Sequence, residues 1–182
     1  MTGGLAGDLH WGMPVVAFDS LPADARVWVF AADAALGHGA ETTLLSEVDA
    51  FLAQWNAHGH PLTCARAWRD GRFLAIGADQ TTAGASGCSI DGMFRVLKQL
   101  QPVLGASLLP GPRVYWRDAA GDIKTATRPE FARLAAGGSV SEVTPVFDTS
   151  VTTAADWRGR FERRAGESWH GELLGATVRN DR

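Results

Sequence analysis

The chain has 182 residues, of which 46% are apolar and 20% charged, which suits one domain able to bury its own core. A net charge of −3, with 17 basic residues against 20 acidic, argues against a polyanion such as nucleic acid as the main partner. No run approaches the roughly 20 apolar residues of a spanning helix, and residues 1–12 lack the basic and apolar regions of a secretion signal, so a cytoplasmic protein without a membrane span is expected.

In chain order, residues 1–14 read as a flexible, glycine-bearing lead-in. Arg26–Ala31 is β-branched and aromatic and follows a turn; because both its faces are apolar, it is expected to be a central strand. Leu44, Leu45, Val48, Phe51, Leu52 and Trp55 fall at helical spacing between an N-cap at Thr42 or Thr43 and a stop at Gly59. Residues 62–68 and 72–78 are strand-like, and Asp70-Gly71 between them is a strong hairpin signal. A Gly/Ser/Thr stretch, Thr81–Gly87, leads to a second helix carrying Ile90, Met93, Phe94, Leu97 and Leu100 and ended by Gly105. Beyond the Pro110-Gly111-Pro112 turn, Val114-Tyr115-Trp116 is a strand that turns back through Ile123–Ala126. Thr127-Arg128-Pro129-Glu130 has capping-box spacing with proline in the first turn, so a short helix should run to Leu134 and stop at Gly137-Gly138. A strand near Val143–Phe147 and helical pieces near Ala154–Phe161 and Trp169–Leu174 complete the chain.

The order strand, helix, strand, strand, helix, strand predicts an α+β fold of the ferredoxin-like, split βαβ type, with two helices on one face of an antiparallel sheet. Residues 15–136 would form that domain, 137–176 a C-terminal extension packed on it, and 177–182 a loose tail. Chain direction then places the turn at His58-Gly59-His60-Pro61 and the loop Asp79–Cys88 at one end of the molecule. Trp28, Trp68 and Trp116 lie in predicted strands, and any that faces away from the helices must be covered by the C-terminal segment or by a second subunit.

That shared end gathers the candidate catalytic residues Cys88, His58 and Asp91 and the candidate ligand-binding residues Trp55, His60, Asp79, Ser86, Gly87 and Ser89. A thiol at the positive end of a helix tends toward thiolate, His58 is placed to accept a proton, and a carboxylate can orient the histidine. The alternative is structural: Ser86 or Ser89 caps the helix, Asp91 answers its dipole and Cys88 is a small core residue. Ala83-Gly84-Ala85-Ser86-Gly87 can cradle a phosphate or carboxylate with its N–H groups, or simply be a loop that needs glycine. It has neither the lysine of GxxxxGK[ST] nor the GxGxxG spacing. Cys64 and Cys88 show no CxxC or zinc spacing, so neither a metal nor another cofactor is expected, and free thiols are. Asp70-Gly71-Arg72-Phe73-Leu74-Ala75 resembles the central strand of RNA-recognition modules, but its stacking aromatics are incomplete and the net charge is acidic, so no nucleic-acid partner is expected. His38 and His170 are isolated and expected in solvent.

Val27-Trp28-Val29-Phe30, Trp55–Leu62, Ala85–Asp91, Thr144–Asp148 and Ser168-Trp169 together resemble a small bacterial family of about this length, whose members are often labelled ABC transporter ATPases. The resemblance runs from about Phe18 to Leu174, and Ala85–Asp91 is its most specific part; Trp55, His58, Gly59, Cys88, Ser89 and Asp91 match its recurring motifs. It implies no established activity. Without a phosphate-cradling lysine loop, no ATP hydrolysis is expected. Two functions remain: a protein that binds a small molecule or anion at the start of the second helix, thiol-dependent or not, and a non-enzymatic interaction or assembly module whose sheet face pairs with itself, as a homodimer, or with another protein.

Overall fold

The computed structural model describes residues 15–57, 59–81, 85–109 and 111–175; the lead-in 1–14 and the tail 177–182 lie outside the described residues. The fold is α+β, with helices packed on antiparallel sheets. The first sheet contains β1 (Arg26–Ala31), β4 (Cys64–Arg69) and β5 (Phe73–Ala78) in the order β1-β5-β4, all antiparallel. Asp70 and Gly71, at φ of 56° and 63°, make the tight β4–β5 turn, a left-handed pair that favours Asp-Gly. Helix α1 (His38–Leu52) and helix α2 (Gly87–Leu104) cover one face, and between α1 and β4 a two-residue hairpin pairs β2 (Asn56–Ala57) with β3 (His60–Pro61). α1 begins five or six residues earlier than expected, with Gly37 as N-cap; Thr42 and Thr43 instead bond back to the carbonyls of His38 and Gly39. Its end at Leu52 leaves Trp55 beyond the helix, where the indole still buries against Phe51 and Trp28.

The first three strands stand in the split βαβ order, but the fourth does not close the sheet. β6 (Val114–Arg117) is flanked on both edges by β7 (Ile123–Ala126) and β8 (Pro145–Phe147), in a second antiparallel sheet of order β7-β6-β8-β9 that β9 (Glu162–Arg164) completes. This sheet draws strands from both sides of residue 137, so the C-terminal residues are woven into it. Alternation along its strands explains its position: Tyr115 and Phe147 point to the first sheet, while Val114, Trp116 and Val146 point to α3 (Arg128–Ala136) and α5 (Gly171–Leu174). Helix pair, sheet, sheet and helix pair are thus stacked in layers, and α4 (Ala154–Arg160) fills the space beside the inner sheet faces.

β1 is an edge strand, contrary to its expected central place. Its two apolar faces arise because both faces of the first sheet are covered: Trp28 and Phe30 lie toward α1 and α2, and Val27, Val29 and Ala31 toward the second sheet and α4. The C-terminal half of the chain therefore covers the face whose partner the sequence left open. Phe73 sits between the sheets, fully buried, with ring centroids 5.5 Å from Tyr115, 4.6 Å from Phe147 and 5.1 Å from Phe161. Gly77 lets the Phe18–Leu21 turn close on the sheet, since a Cβ there would meet Leu21 Cδ1 at 2.5 Å. At one end, Glu162 of β9 joins Arg69 of β4 and Arg117 of β6, and Asp70 pairs with the same two arginines.

Phe73→Ala should lower unfolding free energy by about 3–5 kcal/mol in urea titration, because it empties the centre of the inter-sheet cluster. The exposed Val103→Ala should stay within about 0.5 kcal/mol of wild type.

Candidate functional site

Residues that flank the two turns expected to share one end are hydrogen-bonded to one another. The Trp55 indole Nε1 donates to the Ser89 carbonyl at 3.1 Å, and the Asp79 N–H donates to the Thr63 carbonyl at 2.9 Å, tying the β2–β3 hairpin and the β5–α2 loop to their neighbours. His58 and part of the glycine-rich run, Ala83 and Gly84, lie outside the described residues. The polar groups that are described serve local structure. Ser86 is the α2 N-cap and accepts from the Ser89 N–H, Ser89 Oγ donates back to the Ser86 carbonyl, and the Asp79 carboxylate accepts from the Thr81 N–H. Gly87 opens the helix, and a Cβ there would meet no described atom within 4 Å, while His60 and Asp91 are exposed. Cys88 is exposed in the first turn, and among the described residues no hydrogen bond engages its thiol. Cys64 is the buried cysteine: its Sγ lies 3.5 Å from the Leu52 carbonyl, and burial pushes the thiol up to about 12. Both thiols are free.

A larger cavity, about 560 Å³, opens where a fourth strand would have joined β1. Its size is that of ordinary small-molecule sites. β1 forms one wall; Phe94 of α2 with Leu108 and Leu109 forms an apolar floor; and the Thr149–Thr152 turn, Arg113, Arg128 and Trp169 form the rest. Phe94, 39% exposed, packs edge-on against Phe30 at 5.3 Å and turns its other side to the cavity. Arg113 follows the Gly111-Pro112 turn and its Nε donates to Thr125 Oγ1 at 3.0 Å. Arg128, the first residue of α3, lies over the Trp169 ring at 4.6 Å. Neither arginine pairs with a carboxylate among the described residues. By contrast, a cleft of about 380 Å³ between Asp70, Arg72, Arg117 and Lys124 is largely neutralised internally, since Arg117 and Lys124 already meet Asp70, Glu162, Asp118 and Asp122.

A buried polar network holds the Trp169 wall. The Asp148 carboxylate, 5% exposed, accepts from Trp169 Nε1 at 3.0 Å, from the Ser150 N–H at 3.0 Å and from Ser150 Oγ at 2.5 Å. Burial alone would raise its pKa, but these hydrogen bonds outweigh burial and hold the carboxyl below its ordinary value. His170 is not in solvent as expected: it is fully buried, stacked on Trp169 with centroids 3.8 Å apart and packed against Phe131. Its Nδ1 lies 2.8 Å from Ser168 Oγ, and its buried Nε2 has no hydrogen-bond partner among the described residues. Burial pushes the imidazole down to about 4, against the opposing pull of Asp148. The segments Thr144–Asp148 and Ser168-Trp169 thus meet in one hydrogen bond.

Arg113, Arg128, Phe94 and Trp169 were not legible as one site in the sequence. Arg128 reads as part of a capping box, which it is, with Thr127 and Glu130 bonded reciprocally. The usable signal is a Gly-Pro turn delivering an arginine to the start of a strand. Compared with known protein families, with curated proteins and with solved structures, the chain finds no match.

Iodoacetamide should modify Cys88 in the folded protein and Cys64 only after unfolding, as peptide mass mapping at neutral pH would show. His170, depressed from 6.5 to about 4, is neutral when folded but takes up a proton when unfolded between those values. Its contribution is complete above pH 6.5 and lost as pH falls toward 4, on the order of 3 kcal/mol in all. Asp148, also depressed, adds a loss only below the ordinary carboxylate range. Denaturant titrations across pH 7.5–4 should show a slope that flattens by about one proton in His170→Gln.

Proposed function

We propose that this chain binds a small amphipathic anion, with its charged end between Arg113 and Arg128 and its apolar body on Phe94, Leu108 and Leu109. The observation that carries this reading is two guanidinium groups without carboxylate partners among the described residues, facing one apolar-floored cavity. Guanidinium forks recognise carboxylates and phosphates in two parallel hydrogen bonds, and a half-enclosed site strengthens them over bulk water. Arg128 is pre-set by its stack on Trp169, which Asp148 and His170 hold in turn, so little side-chain freedom remains to be lost on binding. The phenol of Tyr115, whose pKa burial raises above its ordinary value, lines the same cavity.

An anion is also what the tip of α2 is expected to favour, but there Ser86 Oγ already accepts from the Ser89 N–H, and in the loop before it the Asp79 carboxylate accepts from the Thr81 N–H. Thiol-dependent chemistry at Cys88 rests on exposure alone, and a homodimer through the sheet face would need a surface that the C-terminal half covers. Two free thiols suit a reducing, cytoplasmic compartment.

Titration calorimetry with octanoate and with octanamide tests the proposal. Octanoate should bind one per chain and octanamide at least about tenfold more weakly, and Arg113→Gln and Arg128→Gln should each weaken octanoate by about tenfold or more, the loss of one charge-assisted hydrogen bond. Equal affinity for acid and amide, or no effect from removing both arginines, would overturn it.

A further inference from the structure

The β1 wall of the cavity carries unpaired backbone. The Ala32 N–H donates to the Arg72 carbonyl at 2.9 Å, and the register pairs Phe30 with Leu74 and Trp28 with Ile76, so residues 28, 30 and 32 direct their backbone groups to β5. By alternation, Val27, Val29 and Ala31 direct theirs away from the sheet. The Val27 N–H is taken by the Thr152 carbonyl at 2.8 Å, and the Ala31 carbonyl lies 3.5 Å from the Tyr115 hydroxyl. Between these two anchors, the Val27 carbonyl, both Val29 groups and the Ala31 N–H have no partner among the described residues, and all three residues line the cavity.

An alkyl chain leaves those groups unsatisfied, whereas an extended amide backbone pairs with them at about 4.8 Å spacing. The open edge is about 13 Å long at roughly 3.3 Å per residue, room for two or three added residues. The slot is apolar on both sides, with Phe30, Phe94 and Leu108 on one and Val29 and Val151 on the other, which suits the alternating side chains of a strand. Arg113 and Arg128 add the demand for a negative charge. Resting on the anion-binding reading, we propose that the ligand is the carboxyl end of a peptide with apolar last residues, bound as an added strand on β1 with its terminal carboxylate at the two arginines. The charge complementarity selects a free terminus over an internal segment.

Calorimetry on the full chain with acetyl-Ala-Val-Leu tests this against octanoate. The free acid should bind at least tenfold more tightly than octanoate, and its carboxamide at least tenfold more weakly than the free acid. N-methylation should show the alternation of a strand: of the versions methylated at valine and at leucine, one loses at least tenfold and the other keeps its affinity. Amide hydrogen exchange at Val29 and Ala31 should slow on binding. Octanoate binding with a peptide no tighter than octanoate, or with both methylated peptides unimpaired, would overturn strand addition and leave the anion site standing. Failure of peptide and octanoate alike would remove both.

Discussion

Burial of the first sheet on both faces is the constraint from which the rest of the molecule follows. Three strands with two helices on one face would leave Val27, Val29, Ala31, Ala65 and Phe73 in water; instead Tyr115, Phe147, Phe161 and Trp157 lie over them. Removing that much apolar surface from water contributes roughly 1.5–3 kcal/mol for each large side chain. This requires a second layer, and β6 supplies it by leaving the first sheet and becoming an inner strand of the second. The Arg69, Arg117, Asp70 and Glu162 cluster closes one end of the interface, though its partly exposed pairs contribute less to stability than the rings.

Diverting β6 has a consequence at the other edge. With β6 in the second sheet, the outer edge of β1 is bridged, among the described residues, only at Arg26 by Thr153, and its remaining length borders a cavity. Open strand edges are normally covered, charged or kept short, because their N–H and C=O groups pair with whatever extended chain arrives. Here the edge is recessed behind residues 108–109 and 111–113 and the Thr149–Thr152 turn, which limits access to something narrow.

The wall opposite is stiffened by groups that are costly to bury alone and are buried together. Asp148 accepts three hydrogen bonds, one from the indole that carries Arg128, and the neutral imidazole of His170 backs that indole. Such a network fixes an arginine's direction as no solvent-exposed side chain is fixed. At the tip of α2, by contrast, serine and aspartate side chains are consumed by capping and by the turn, which leaves the exposed Cys88 without an orienting partner among the described residues.

What the sequence by itself determined was local. The Asp70-Gly71 hairpin, α2 with its Gly105 stop at φ of 65°, and the Thr127/Glu130 capping box around α3 follow from turn chemistry, periodicity and short-range hydrogen bonds, which depend on residues a few positions apart. The α+β class followed from the order of the elements, and the approach of Trp55, just after α1, to Ser89 in the first turn of α2 from chain direction. Which sheet β6 joins was decided only by tertiary structure. An apolar strand reports that its faces are covered but not which strand lies at its edge, and for the same reason β1 read as central though it lies at an edge. Nor could an isolated histidine announce that Trp169, Phe131 and Ser168 would bury it, or two arginines 15 positions apart that they face one cavity, since both depend on how the sheets stack.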